Sequence, residues 1–369
     1  MGRTTRAVKV GDLVLGAGNP VRVQSMTKTD TRDVDATVAQ IRRLEAAGCE
    51  IVRVAVPDAE AARVLGEIRS RTKLPLVADI HYDYRLALAA LDQGVDKLRI
   101  NPGNIGARWK VEEVARAARD RGVPIRIGVN AGSLEKEMAR SYGRTARALV
   151  ESALRQADAL EAVGFSDIVL SLKASDVPTT VEAYRQAAVR CPYPLHLGLT
   201  EAGTAWAGAI RSAVAIGALL LEGIGETLRV SLNADPVREV QAAWHILRAV
   251  GLRARGVELV TCPTCGRCQV DLMTVASRVE EALAGVEAPL RVAVMGCVVN
   301  GPGEAREADV GVAAGRGRAV LFRKGKRIRN VPASRMVEEL LAEVQALLDG
   351  RPEDSHGIEG GSQHGEGVR

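Results

Sequence analysis

Cys262-Pro263-Thr264-Cys265 is followed closely by Cys268 and later by Cys297, which precedes the run Asn300-Gly301-Pro302-Gly303-Glu304. A CxxC pair sets two sulfurs on one tight turn, close enough to share a metal or the edge of a cluster. Cys297 supplies a third sulfur from another loop, and the Gly/Pro run lets backbone N–H groups approach inorganic sulfide. Zinc is normally closed by a fourth Cys or His, yet no His lies between Cys262 and Glu304. An iron–sulfur cluster with one non-thiolate ligand fits better, because its one distinct iron would be open to chemistry as well as to electron transfer. Cys268 is a competing fourth ligand. Zinc, or a disulfide or inert thiols, remain the alternatives, although six Cys in 369 residues is not a disulfide-dense chain.

The other candidates are charged residues at the ends of short apolar runs. Arg53 lies in the second run, and the third ends Asp79-Ile80-His81. The fourth reads Arg99-Ile100-Asn101, the fifth carries Arg126 and Asn130, and the sixth ends at Lys173. Glu201 follows the seventh, and Ser231-Leu232-Asn233 closes the eighth. Alternation puts Asp79 with His81, Arg99 with Asn101 and Ser231 with Asn233 on shared faces. Burying Arg53, Arg99, Arg126 and Lys173 together is costly unless a polyanion such as a diphosphate neutralises them. Glu201, beside those cations, suits proton transfer. Lys173 also admits a second reading, as the Schiff-base lysine of a barrel aldolase.

The elements that must position these groups repeat between residues 20 and 250. Val/Ile/Leu-rich runs at 21–24, 51–56, 76–80, 97–100, 125–129, 168–172, 195–199 and 228–232 alternate with helical patterns at 34–47, 59–71, 85–92, 111–121, 144–163, 180–190, 203–216 and 236–250. Gly48, Gly94, Gly122 and Gly164 stand where helices should stop. Eight such units predict an α/β fold, a (β/α)8 TIM barrel with its site at the carboxyl ends of the strands. A doubly wound sheet is the runner-up, without a GxGxxG after an early strand to support it.

The apolar fraction of 47% is ample for a core, but only 2 Phe, 3 Trp and 5 Tyr argue against stacking platforms for single-stranded nucleic acid. A net charge of +5 suits an anionic small substrate or an acidic electron donor. The basic residues stand singly at strand ends, so no nucleic-acid partner is expected. The stretch 323–327 reads as an exposed basic hairpin. With no apolar leader and no long apolar span, a cytoplasmic protein without a membrane partner is expected. From residue 350 the composition turns to Gly, Glu, His and Ser, the mark of a disordered tail.

With these residues in place, the chain resembles the 4-hydroxy-3-methylbut-2-enyl diphosphate synthases, iron–sulfur enzymes of the methylerythritol phosphate route to isoprenoids. The resemblance runs the full length apart from the tail. It is most specific in Cys262-Pro-Thr-Cys265 and Gly296-Cys297-Val-Val-Asn300-Gly-Pro-Gly-Glu304, and extends to Val23-Gln24-Ser25-Met26-Thr27 and Arg99-Ile100-Asn101-Pro102-Gly103-Asn104. It implies a TIM-barrel substrate domain at 1–252, a smaller α/β iron–sulfur domain at 253–349 akin to sulfite-reductase modules, and a tail at 350–369. It further implies a [4Fe-4S] cluster on Cys262, Cys265, Cys297 and Glu304, leaving out Cys268, whose position need not be cysteine in the family. The implied reaction is reductive ring opening of 2-C-methyl-D-erythritol 2,4-cyclodiphosphate, with loss of water, using electrons from reduced flavodoxin or ferredoxin. Arg53, Arg99, Arg126 and Lys173 would hold the diphosphate with Asn101, Asn130, Ser231 and Asn233. Glu201 would supply the proton, with Asp79 and His81 as second choices. A head-to-tail homodimer is implied as well.

Overall fold

The computed structural model describes residues 3–297 and 306–350. The chain divides after Ala254 into two compact units. In the first, β3 (Arg22–Met26), β4 (Ile51–Ala55), β5 (Leu76–Ile80), β6 (Lys97–Ile100), β7 (Ile125–Asn130), β8 (Ile168–Lys173), β9 (His196–Leu197) and β10 (Thr227–Leu228) form one sheet. Its pairings are parallel, and a bridge between Leu170 and Leu195 joins its two ends into a ring. Helices follow the strands because each loop delivers a capping residue. Asp33, Asp58, Asp83, Thr145, Asp176 and Asp235 each accept a backbone N–H of the first helical turn. The expected helix stops hold, with φ of +95° at Gly48, +75° at Gly94, +64° at Gly122 and +75° at Gly164.

Three features depart from the sequence reading. The helix expected over 59–71 is two pieces, Ala59–Arg63 and Leu65–Ser70, broken at β-branched Val64 just before Gly66. A further helix, Lys136–Tyr142, occupies the loop after β7. An antiparallel hairpin, β1 (Val8–Val10) and β2 (Leu13–Leu15), precedes the ring. Its Val8, Val10 and Leu15 pack on Ile51, Val77 and Val169, early residues of β4, β5 and β8. An apolar plug therefore closes the amino-terminal end of the barrel, and polar side chains fill it towards the carboxyl end.

The second unit is a sheet in the order β11 (Val257–Thr261), β12 (Leu290–Met295), β13 (Val310–Ala314), β14 (Arg318–Arg323) and β15 (Lys326–Pro332). Its first three strands are parallel and its last two antiparallel. Helices Leu272–Leu283 and Met336–Leu348 bury Val279, Leu283, Leu340 and Val344 against Val292, Val294, Val310 and Val312. The basic hairpin of 323–327 exists, turning at Lys324 and Gly325 with φ of +47° and +75°. Arg323 is not exposed, however: it is buried, 3.7 Å from Glu343. The tail beyond residue 350 lies outside the described residues.

Candidate active site

A cavity of ≈ 120 Å³ in the barrel is lined by Arg53, Asp79, His81, Arg99, Arg126, Asn130, Ser171, Lys173, Leu199, Thr200, Arg229 and Ser231. Eight of the expected site residues thus meet on one surface. Alternation along each strand explains this: Asp79, Arg99, Arg126, Ser171 and Lys173 fall on inward positions, and their neighbours Ile80, Ile100, Ile127 and Leu172 join the apolar layer outside. Lys173 needs a gap opposite it, since a Cβ on Gly198 would sit 2.7 Å from Nζ and 2.6 Å from the Arg229 carbonyl.

Asp79 is the one carboxylate in that lining. Arg99 Nη1 lies 3.1 Å from Asp79 Oδ1 and 3.0 Å from His81 Nε2, and His81 Nε2 is 3.3 Å from Asp79 Oδ2. Arg53 Nε stands 3.7 Å from Asp79 and donates to the Met26 thioether at 3.0 Å. A thioether is a weak acceptor, so this guanidinium keeps most of its charge uncommitted. Arg229 is tied to buried Glu239, whose carboxylate lies 3.1 Å away and also takes a hydrogen bond from Ser25. Arg126 reaches only Ser171, at 3.4 Å, while its Nε and Nη2 are buried without a partner.

The electrostatics follow from this imbalance. Burial, then the guanidiniums of Arg126, Arg53, Arg229 and Arg99, push the Lys173 ammonium well below its ordinary range. Burial pulls Arg53 down to about 10 despite Asp79, with Arg229 and Arg99 adding to the shift. Asp79 goes the other way: burial opposes its charge, but Arg53, the His81 hydrogen bond and Arg99 outweigh burial and hold it far below the carboxylate range. Five basic side chains around one carboxylate is an arrangement that suits a compact polyanion.

Asp79→Asn should therefore cost about 3–5 kcal/mol of stability, by stripping Arg53 and Arg99 of the carboxylate that sits beside both. Because the folded pKa of Asp79 lies below the unfolded one, its contribution is present above the ordinary carboxylate pKa of about 3.9 and fades as pH falls through the depressed value. Urea unfolding of both proteins at neutral and acid pH checks this, the difference between them narrowing only at the acid end.

Not every expected residue joins this cavity. Asn101 is buried and donates to Ser133 at 3.0 Å, away from the lining. Its amide is occupied by the loop after β7. Glu201 and Asn233 line an adjoining hollow of ≈ 410 Å³ that shares Arg229 and Ser231. Glu201 is exposed and held in the left-handed region at φ +53°, a conformation its side chain disfavours. Arg229 was missed from sequence, although it lies in the run 228–232 two positions before Ser231, and alternation alone puts it on the same face.

In the second unit, β11 delivers Cys262, and Thr264 turns the CxxC segment at φ +50°. The Cys268 N–H donates to the Cys265 carbonyl at 2.9 Å, and Gln269 N–H to the Gly296 carbonyl at 2.9 Å. Gly296, at the end of β12, donates its N–H to Cys262 Sγ at 3.3 Å. A Cβ on Gly296 would lie 2.5 Å from Cys268 Sγ and 3.5 Å from Cys262 Sγ, so only glycine fits between these sulfurs. Cys262, Cys265 and Cys268 are free thiols. Among the described residues no three His, Cys, Asp or Glu converge on a single metal ion. A cluster spreads its sulfur ligands over separate corners and accepts backbone N–H groups at its sulfurs. Free thiols with a backbone N–H already on one sulfur fit an iron–sulfur group. Glu304 and Asn300 lie outside the described residues.

Comparisons with known proteins point the same way for both units. Residues 5–244 match the GcpE TIM-barrel domain and residues 258–346 the GcpE protein C-terminal domain. A 4-hydroxy-3-methylbut-2-en-1-yl diphosphate synthase (flavodoxin) of Geobacter sulfurreducens is 60% identical over 345 residues, covering 93% of this chain and 98% of that one. Enzymes of the same name from Anoxybacillus flavithermus and Bacillus subtilis are 58% and 56% identical over 346 residues, each covering 94% of this chain and 95% and 92% of their own.

Proposed function

The chain belongs to the GcpE family, and from that premise we propose that it opens 2-C-methyl-D-erythritol 2,4-cyclodiphosphate reductively to 4-hydroxy-3-methylbut-2-en-1-yl diphosphate, a step in isoprenoid precursor synthesis. The reaction takes two electrons and two protons, breaks one carbon–oxygen bond to the diphosphate and releases a hydroxyl as water. One observation carries this reading: Arg53, Arg99, Arg126, Lys173 and Arg229 converge on a small cavity whose lining contains a single carboxylate. The guanidiniums offer fixed forks to phosphate oxygens and Lys173 a point charge, with Asn130 and Ser231 completing the hydrogen bonds. Asn233 orients the carbon skeleton from the adjoining hollow, and Asn101 fixes the loop after β7 through Ser133.

Family membership implies an iron–sulfur enzyme, and we assign a [4Fe-4S] cluster to Cys262, Cys265, Cys297 and Glu304. When bound, the cluster supplies single electrons, drawn from flavodoxin or ferredoxin, and Lewis acidity at its non-thiolate corner. Glu201 gives the proton that leaves with the hydroxyl. Glu201→Gln should lower kcat by about 10²- to 10⁴-fold with little change in KM; near-normal turnover of reduced protein would remove Glu201 from this role. The aldolase reading uses the same desolvated Lys173 amine as a nucleophile. It predicts borohydride trapping of a carbonyl substrate on Lys173, and the diphosphate reading predicts none.

The described residues contain no helix long and apolar enough to cross a membrane; the proposal is a cytoplasmic enzyme with neither a membrane nor a nucleic-acid partner. A homodimer is the proposed assembly. Helix Ala205–Leu221 exposes Trp206, Ile210, Val214 and Leu221, and its sole charged residue, Arg211, is bound to the carbonyls of Ala202 and Ser175. An exposed apolar stripe of this length marks an interface. Val214→Arg should convert the dimer to monomer in light scattering; an unchanged mass would place the interface elsewhere.

A further inference from the structure

Beneath the cavity sits a titratable group that the diphosphate reading does not use. Lys97 opens β6 on the same inward face as Arg99, one layer nearer the apolar plug, and does not line the cavity. It is fully buried, and its Nζ has no hydrogen-bond partner. Val77 of the plug lies beside it on β5 and Arg53 next to Val77 on β4, Arg126 stands beside Arg99 on β7, and His196 of β9 feels its charge. Gln24 of β3 contributes a buried amide whose oxygen and nitrogen are also unpartnered. Asp79, next inward on β5, is occupied by Arg99, Arg53 and His81. His196 turns Nδ1 to Thr227 at 2.8 Å, and its Nε2 is an orphan.

The guanidiniums in this stack cannot shed a proton, whereas an amine can. Lys97, like Lys173 in the cavity lining, is therefore an amine on which the crowding of positive charge acts. We propose that Lys97 is the positioning residue that couples diphosphate binding to proton uptake, its amine gaining a proton when a dianion fills the cavity above it. The geometry gives the reason: Arg53, Arg99 and Arg126 stand on the strands beside Lys97, and the Asp79 carboxylate of β5 is already paired with Arg53 and Arg99. Burial, followed by Arg126 and then Arg53, depresses Lys97 in the empty barrel, and a dianion overhead reverses the sign of the local field. The proton comes from solvent and stays on Nζ, so it is not the proton consumed in water loss. Lys173 and His196 are depressed by the same neighbours and can take up protons of their own.

This inference rests on the diphosphate reading, and one experiment separates their failures. The cyclic diphosphate, whose phosphates do not titrate near neutrality, is titrated calorimetrically into the full-length protein without reductant. Buffers of different ionisation enthalpy give the protons taken up per molecule bound, for the wild type and for Lys97→Met. The wild type should take up about one proton more than Lys97→Met, and its Kd should tighten about tenfold more per unit fall in pH within the coupling window. The two affinities should converge at the alkaline end, where Lys97 is neutral in both states. A merely structural lysine would alter stability yet leave the proton count unchanged. Equal counts in the two proteins, or none in the wild type, would overturn the proposal while leaving the diphosphate site intact. Absence of binding in both would overturn the diphosphate reading as well.

Discussion

Arg126→Met should stabilise the ligand-free protein by about 1–3 kcal/mol and at the same time weaken diphosphate binding by at least about thirtyfold. The two effects share one cause. Arg126 is 1% exposed, makes a single 3.4 Å contact to Ser171 and leaves two guanidinium nitrogens without acceptors. Its charged neighbours Arg53 and Arg99 repel it, and burial opposes its charge. Methionine fills comparable volume without charge, and replacing buried ions by apolar side chains is commonly neutral or stabilising. Removing a buried charge that should pair with phosphate costs about 2–5 kcal/mol of binding. Urea midpoints read the first effect and titration with the cyclic diphosphate reads the second. A destabilised, normally binding variant would mean that Arg126 is a structural residue satisfied by groups within the barrel.

The second large effect is expected in the other unit. Cys262→Ser should lose iron and acid-labile sulfide together and lower turnover by more than the ~10–100-fold typical of losing an outer-shell partner of a metal site. Cys262 is held by its neighbours: Gly296 donates to its sulfur, and the same glycine leaves no room for a Cβ. Cys268→Ser is the informative companion. Cys268 Sγ donates to the Val270 carbonyl at 3.2 Å and packs against Gly296, so its proposed part is in the wall of the site. It should keep full iron and sulfide; loss of either would make Cys268 a ligand and displace Glu304 from the set.

The barrel was legible because its signals are local. Period-two alternation within four to six residues decided which of Asp79, Arg99, Arg126 and Lys173 point inward, and each strand repeated the lesson. The site was less legible where side chains meet partners far away in sequence. Asn101 shares the inward pattern of Arg99, but Ser133, thirty-two residues on, captures its amide. Alternation could have found Arg229, but no spacing rule announces its pairing with buried Glu239 on the following helix. Lys97 and His196 sit at the beginnings of their strands, where a strand-end rule does not look. The amino-terminal hairpin did carry a signal, since Val8, Val10, Leu13 and Leu15 alternate about Gly11. Three-residue strands are too short to stand out until the open end of the barrel they cover is known.

The most direct test of the central claim is a count of product against electrons. Anaerobic protein, with its iron and sulfide determined, is reduced by a known amount of flavodoxin hydroquinone and mixed with the cyclic diphosphate. One molecule of linear 4-hydroxy-3-methylbut-2-en-1-yl diphosphate should form for every two electrons consumed, and electrons should be consumed only when the substrate is present. Cluster-loaded, reduced protein that binds the cyclic diphosphate but keeps its electrons and releases no linear product would contradict the account.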